Sequence, residues 1–225
     1  FSPNFATDRA IVAVGSDATD TIVTTKVGSG AFGATIKNVN LKSAGTTEID
    51  SAQAASIAFP DDFDYLTNNI FLVGVTGDGS PAGDVYRVYG SKTTSVALDR
   101  NIGGSGTDKQ VHTVDVSGAA SVANVVAGLT NGEVRYSTNG GTSFSKPKKH
   151  PSGSGNVNVS IGDDAVYAIS VGDEGGFHKS TDSGKSWNGL SLIKTEISVV
   201  NDMSVTSDGT LYLATDNGST DGSIW

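Results

Sequence analysis

The chain has 225 residues, a net charge of −9, 29 glycines and no cysteine. That length suffices for one domain with a sizeable core. The acidic balance argues against a nucleic-acid partner, whose phosphates it would repel. Without cysteine there is no disulfide framework and no thiolate metal site. No apolar run reaches the roughly 18 residues that a membrane-spanning helix needs. Only 17% of residues are charged, and Gly, Ser, Thr and Val dominate, which suits strands joined by tight turns.

Five stretches repeat one phrase, a polar turn leading into a β-branched or aromatic run. They are Thr7 to Gly15, Thr67 to Gly74, Ala120 to Gly128, Gly162 to Ser170 and Ser207 to Thr215. With Ile11, Ile70, Val125, Val166 and Leu211 as equivalent points, the steps are 59, 55, 41 and 45 residues. Each phrase reads as an inner strand buried on both faces, because its apolar run is nearly continuous. The segments before the phrases read as the strand that opens each unit: Phe1 to Phe5, Ile57 to Phe63, Val114 to Ser117, Val157 to Ser160 and Met203 to Thr206. The segments after them read as the next strand: Thr21 to Lys26, Asp84 to Gly90, Gly132 to Ser137 and Gly175 to Ser180. The fifth phrase has no such follower before the chain stops at Ile224-Trp225.

A repeat of about 40–45 residues is the spacing of a four-stranded propeller blade, and the longer steps imply inserted loops. The expected architecture is all-β, a β-propeller of four-stranded antiparallel blades. The units are 1–56, 57–112, 113–156, 157–202 and 203–225, four blades and the start of a fifth. A ring usually closes by setting its last strand beside its first. This count therefore predicts a fragment of a larger ring, or a part completed by other chains.

Two of the units carry an octet after the second strand. One is Ser180-Thr181-Asp182-Ser183-Gly184-Lys185-Ser186-Trp187, and the other lies 43 residues earlier, Ser137-Thr138-Asn139-Gly140-Gly141-Thr142-Ser143-Phe144. In both, Asp or Asn can fold its side chain onto the backbone, Gly supplies a positive φ, and the aromatic anchors the next strand in the core. The octets resemble the Asp-box, or BNR, repeat of sialidases, sortilin-type receptors, xyloglucanases and photosystem assembly factors. The later octet matches fully; the earlier has Asn139 for Asp and Phe144 for Trp. The resemblance implies a structural role at the outer rim of a blade for Ser137, Asn139, Gly141, Phe144, Ser180, Asp182, Gly184 and Trp187, and no chemistry. The openings Ser2-Pro3-Asn4-Phe5 and Phe59-Pro60-Asp61-Asp62-Phe63 resemble exported prokaryotic members of the group.

The resemblance also sets out what catalysis would need. Sialidase-like chemistry requires an arginine cluster for a carboxylate, because the guanidinium fork pairs with it bidentately. The arginines here are Arg9, Arg87, Arg100 and Arg135. Arg87 and Arg135 fall at equivalent points of successive second strands and are expected on blade surfaces. A glycosidase would need two carboxylates across a cleft. The acidic residues instead sit in turn pairs such as Asp61-Asp62, Asp163-Asp164 and Asp173-Glu174, so no catalytic residue is assigned.

Calcium could use Asp78-Gly79-Ser80 with Asp84, or Asp216 to Asp221, since it takes oxygens from flexible loops. Plain turns are the better reading of both stretches, and no cofactor is assigned. His112, His150 and His178 lack paired-ligand spacing. Gly28-Ser29-Gly30-Ala31-Phe32-Gly33 has no Lys-Ser/Thr ending and no following helix, so it is not a phosphate loop. Lys146-Pro147-Lys148-Lys149-His150-Pro151 is the one basic cluster and reads as a solvated loop. The longest low-complexity connections are Lys26 to Ser56, Thr76 to Asp84 and Ser91 to Thr113, with Gly103 to Asp108 flexible by composition. Asn158-Val159-Ser160 and Asn217-Gly218-Ser219 fit the glycosylation acceptor, Asn217 in a turn and Asn158 in a strand.

The sequence thus predicts a non-catalytic propeller outside the cell or on its surface, in a surface layer, filament or adhesion assembly. Its partners would be protein subunits or cell-surface glycans. The alternatives are a glycoside hydrolase with part of its catalytic set beyond this stretch, and an assembly factor or receptor binding a protein.

Overall fold

Short β-branched runs bracketed by Gly, Asp and Asn turns become strands that meander antiparallel to their neighbours. The computed structural model describes all residues except 35–37, 44–46, 50–51, 78–82, 91–95, 104–108, 193–198, 207 and 219–220, and all their side chains except those of 43, 47, 48 and 192. After the short helix α1 (Phe5–Asp8), the first sheet is β1 (Ala10–Ser16), β2 (Thr21–Val27) and β3 (Val39–Asn40). A small hairpin, β4 (Lys42–Ser43) and β5 (Thr47–Glu48), comes next. The second sheet is β6 (Ala52–Ala58), β7 (Ile70–Gly77), β8 (Val85–Tyr89) and β9 (Val96–Asp99). The third is β10 (Val111–Ser117), β11 (Asn124–Leu129) and β12 (Val134–Ser137). The fourth is β13 (Val157–Ile161), β14 (Val166–Ser170), β15 (Gly176–Ser180) and β16 (Asn188–Leu192). The fifth is β17 (Val199–Val205), β18 (Leu211–Asp216) and β19 (Gly222–Ile224).

The sheets stack face to face in chain order, and the apolar layers lie between consecutive sheets. Val12, Val23, Phe71 and Val73 join the first to the second; Leu72, Val85, Val114 and Val125 join the second to the third. Val126, Val134, Val159, Ala168 and Trp187 join the third to the fourth, and Ile169, Val200 and Met203 the fourth to the fifth. This explains the continuous apolar phrases. In β11, Val125 and Ala127 face one neighbouring sheet while Val126 faces the other, so every position after Asn124 is buried. Close sheet approach also fixes Gly128, where a Cβ would lie 2.2 Å from the carbonyl oxygen of Val157.

Four features differ from the expectation. Phe1 to Phe5 is not an opening strand. Asp8 is buried, accepts hydrogen bonds from the Ser2 hydroxyl (2.6 Å) and the Ala10 N–H (2.9 Å), and so folds the segment back as a turn and helix. The strand opening the second sheet is β6, which starts at Ala52 and not at Ile57. The third sheet's fourth strand is a single bridge, Tyr136 to Ser145, because Pro147 comes soon after and can donate no ladder hydrogen bond. The fifth phrase does have a follower, β19, paired with β18 through Ala214 and Ile224. The connections read as low-complexity contain β3 to β6, the end of β7, and β9 with the start of β10. Much of Gly103 to Asp108 lies outside the described residues.

Candidate functional site

The octets are the most regular local structures. In the later one the Ser180 hydroxyl donates to Asp182 Oδ1 (2.8 Å) and accepts the Gly184 N–H (2.9 Å). Asp182 in turn accepts the N–H (2.8 Å) and hydroxyl (2.6 Å) of Ser186. The earlier octet repeats the first bonds with Ser137, Asn139, Gly141 and the Ser143 N–H, at 2.7 Å for Ser137 to Asn139 and 3.0 Å for the Gly141 N–H, but there the Asn139 amide donates to the Ser143 hydroxyl (2.9 Å). Gly184 (φ 84°) and Gly141 (φ 74°) occupy the left-handed region, which a side chain would strain. Burial pushes Asp182 up, yet the hydrogen bonds from Ser186 and Ser180 outweigh it and hold the carboxyl below its ordinary value.

A second pattern lies on the strands that open the sheets. Ser56, Thr113, Asn158 and Asp202 share one register, opposite Gly74, Gly128, Ile169 and Ala214 of the following strands. Each of the first three reaches the opening strand of the next sheet. The Ser56 hydroxyl accepts the Val114 N–H (3.1 Å). The Thr113 hydroxyl donates to the Val157 carbonyl (3.1 Å) and accepts the Val159 N–H (3.0 Å). The Asn158 amide donates to the Val200 carbonyl (3.0 Å). Asp115, two residues after Thr113, accepts the Ile161 N–H (2.7 Å) and its neighbour Val116's N–H (2.8 Å). Desolvation raises the Asp115 pKa in spite of these bonds. A raised carboxyl in a cleft is a usual sign of an acid catalyst. Here one oxygen ties the third sheet to the fourth and the other is held by the N–H of Val116 in its own strand.

These bonds also correct the glycosylation reading at Asn158. It is 1% exposed and its amide nitrogen is bonded, so the folded strand has no room for a glycan there. Asn217 is exposed, but Ser219 of its triplet lies outside the described residues. So does Asp78-Gly79-Ser80. In the other acidic loop, the Asp216 carboxylate accepts the Gly218 N–H (2.7 Å) and the Asn201 amide (3.0 Å), as an ordinary turn would. Among the described residues no three His, Cys, Asp or Glu side chains gather as a metal site.

Arg87 and Arg135 are not on blade surfaces. Arg87 is 5% exposed and Arg135 1%. They also differ in register: Arg87 faces Leu72 and Arg135 faces Ala127, next to Val134, which stands opposite Gly128 as Val85 does Gly74. One residue of offset sends the two side chains to opposite faces. Arg87 donates to the carbonyls of Ala120 (3.0 Å) and Gly140, bracing the earlier octet from the preceding sheet. Arg135 donates to the Ile102 carbonyl (3.1 Å) and pairs with Glu133 (2.9 Å).

One cluster has no sequence signature. His178 Nε2 lies 3.3 Å from the Ser152 hydroxyl and 3.5 Å from that of Ser170. Ser152 donates to the Glu174 carbonyl (2.7 Å) and Ser170 to the Ser152 carbonyl (2.5 Å). With both hydroxyl protons so used, the imidazole can only donate to these oxygens. In this arrangement neither serine hands its proton to the imidazole, as a nucleophile paired with its base would. Burial, helped by Lys149, lowers the pKa of His178. The basic segment carries three exposed lysines but is tied to the later octet through the Lys148 N–H and Lys185 carbonyl (2.8 Å).

A cavity of about 120 Å³ lies between the third and fourth sheets, lined by Asn124, Asp163, Asp164, Ser180, Thr181 and Ser183. Small-molecule sites run to about 300–1,000 Å³, so this one suits a few waters and no sugar ring.

No protein-family model and no curated protein matches the chain. Among solved structures it is similar to the GH74 xyloglucanase of Xanthomonas campestris, at 14% identity and a TM-score of 0.59. That match covers 98% of this chain and 34% of the xyloglucanase, so the chain spans about a third of that protein's length. It is also similar to the lectin SapL1, solved with α-methyl fucoside, at 15% identity and a TM-score of 0.57, covering 96% of this chain and 71% of the lectin. With the stacked antiparallel sheets, these likenesses establish the β-propeller fold.

Proposed function

We propose that this chain is a non-catalytic propeller with a structural or binding role outside the cell or on its surface, its partners being glycans or protein subunits. The octets, on this reading, are Asp-boxes that close the rim of their blades. The carrying observation is how the polar side chains of the opening strands are used. Ser56, Thr113, Asp115 and Asn158 bond the next sheet's backbone, so these side chains hold the sheets together. The acidic, Ser- and Thr-rich composition fits a displayed surface, and a lectin on the same fold supports the glycan option.

The test is a glycan library probed twice, once for retention of the labelled protein and once for product release. Retention without turnover supports the reading. Release of oligosaccharides, from xyloglucan above all, would replace it with the hydrolase alternative.

A further inference from the structure

The basic segment crosses from the third sheet to the fourth as a strap. Ser145 bridges Tyr136 on one side, and Lys149 bridges Ser186 on the other. Pro147 and Pro151 are buried, while Lys146, Lys148, Lys149 and His150 are exposed. The prolines deny the strap a regular ladder, and their buried rings act as its feet. Between them the Lys148 N–H bonds the Lys185 carbonyl (2.8 Å), and the Lys149 ammonium reaches Asn188 Oδ1 (3.3 Å). The strap is thus pinned to the later octet, which brings the exposed Lys185 beside Lys148.

In the sequence this is a run of three lysines, and the fold makes it a patch of four. Extended backbone sets Lys146 and Lys149 about 10 Å apart, and adjoining strands lie about 5 Å from one another. Among the described residues no carboxylate pairs with any of the four. Glu133 is taken by Arg135 (2.9 Å) and Lys109 (3.5 Å). Asp182, in the same octet as Lys185, turns its oxygens to Ser180 and Ser186. The whole chain carries −9. At physiological salt, however, exposed charges are screened beyond about 8 Å, so an approaching anion meets the patch and not the sum.

We infer that this strap is a docking surface for an anionic polysaccharide, whose sulfate or uronate groups pair with Lys146, Lys148, Lys149 and Lys185. The inference rests on the glycan option proposed above and gives it a place and a chemistry. The patch does not have the make-up of a protein interface, which is depleted in lysine and anchored by aromatics and arginine. No large apolar side chain of 137–151 or 180–187 is exposed, and Arg135 is 1% exposed. A single-stranded nucleic acid would need the same missing aromatics to stack its bases. Lysine is a compact point charge that demands no planar partner, so it pairs with sulfate and carboxylate alike. With the backbone already pinned, binding has only side chains to order.

The probes are dextran sulfate, polygalacturonate and neutral dextran, each titrated into the intact chain by biolayer interferometry at about 0.15 M salt. Binding of an anionic polymer and not of dextran is expected. Lys148→Gln with Lys185→Gln should weaken it about tenfold, and adding Lys146→Gln should weaken it further. Lys26→Gln with Lys42→Gln removes the same charge elsewhere and should change it less than about twofold. Equal losses from the two pairs would overturn the inference. So would polyglutamate or duplex DNA binding as tightly as the better polysaccharide, since charge alone would then suffice. Retention by neutral glycans with no binding of either anionic polymer would end this inference and leave the glycan option standing. Retention by no glycan at all would end both.

Discussion

Ser137–Phe144 and Ser180–Trp187 close around the same serine-centred turn but are held down by different means. Trp187 is 1% exposed, packs with Val126, Val134 and Val166, and donates its indole N–H to the carbonyl of Gly184 in its own turn (3.2 Å). Phe144 is only partly buried and has no such donor. Its turn is gripped from outside instead, by the guanidinium of Arg87 on Gly140 and that of Arg100 on Thr142 (3.4 Å). The later octet is anchored by its own sequence. The earlier one borrows its anchor from the sheet before it, so one local motif is kept by two non-local solutions.

The contrast can be broken most sharply at the aromatics. Trp187→Ala should cost about 3–5 kcal/mol in a denaturant titration, the range for a fully buried large aromatic, and Phe144→Ala distinctly less. Equal losses would show that the octets are anchored alike. Arg87→Ala comes next, at about 2–3 kcal/mol, because it strands the carbonyls of Ala120 and Gly140. Hydrogen exchange should then quicken at the Gly141 N–H and not at Gly184. Ser137→Ala and Ser180→Ala should each cost about 1 kcal/mol and match one another, since that part of the turn is common to both.

The smallest effect separates Asn139 from Asp182. The folded Asp182 carboxyl titrates below its unfolded value, so protons bind the unfolded chain more readily. Its contribution is complete above the unfolded pKa and is lost as pH falls through the folded one. The later octet should therefore loosen in acid while the earlier does not, and Asp182→Asn should remove that difference in amide exchange measured near pH 3.

The sequence carried the parts of the fold that local chemistry decides. β2, β8, β12 and β15 lie where their β-branched and aromatic runs put them, and each octet turns where Asp or Asn precedes Gly. It did not carry what packing decides. Ala52-Gln53-Ala54-Ala55 has poor strand propensity and reads as a connection, yet becomes the start of β6 because β7 lies beside it. Phe1 to Phe5 has the aromatic content of a strand, but Asp8 draws it into a turn. The arginines appeared equivalent because a strand reads almost the same one residue along. The bonds of Ser56 and Asn158 left one faint signal, a polar residue set between apolar ones, but at unequal distances from the phrases, and Thr113 left none. Nothing in the sequence linked Ser152, Ser170 and His178, since each comes from a different connection or strand.

Because each apolar layer joins only adjoining sheets, the molecule should behave as a short row of tiles, each leaning on the next. The fifth sheet leans on one neighbour alone, and Asp202, at the register where the others clasp the following strand, stands exposed. Heat or pulling force should then part neighbouring sheets one seam at a time. Loss of the Asn158 clasp would set where the first tear stops.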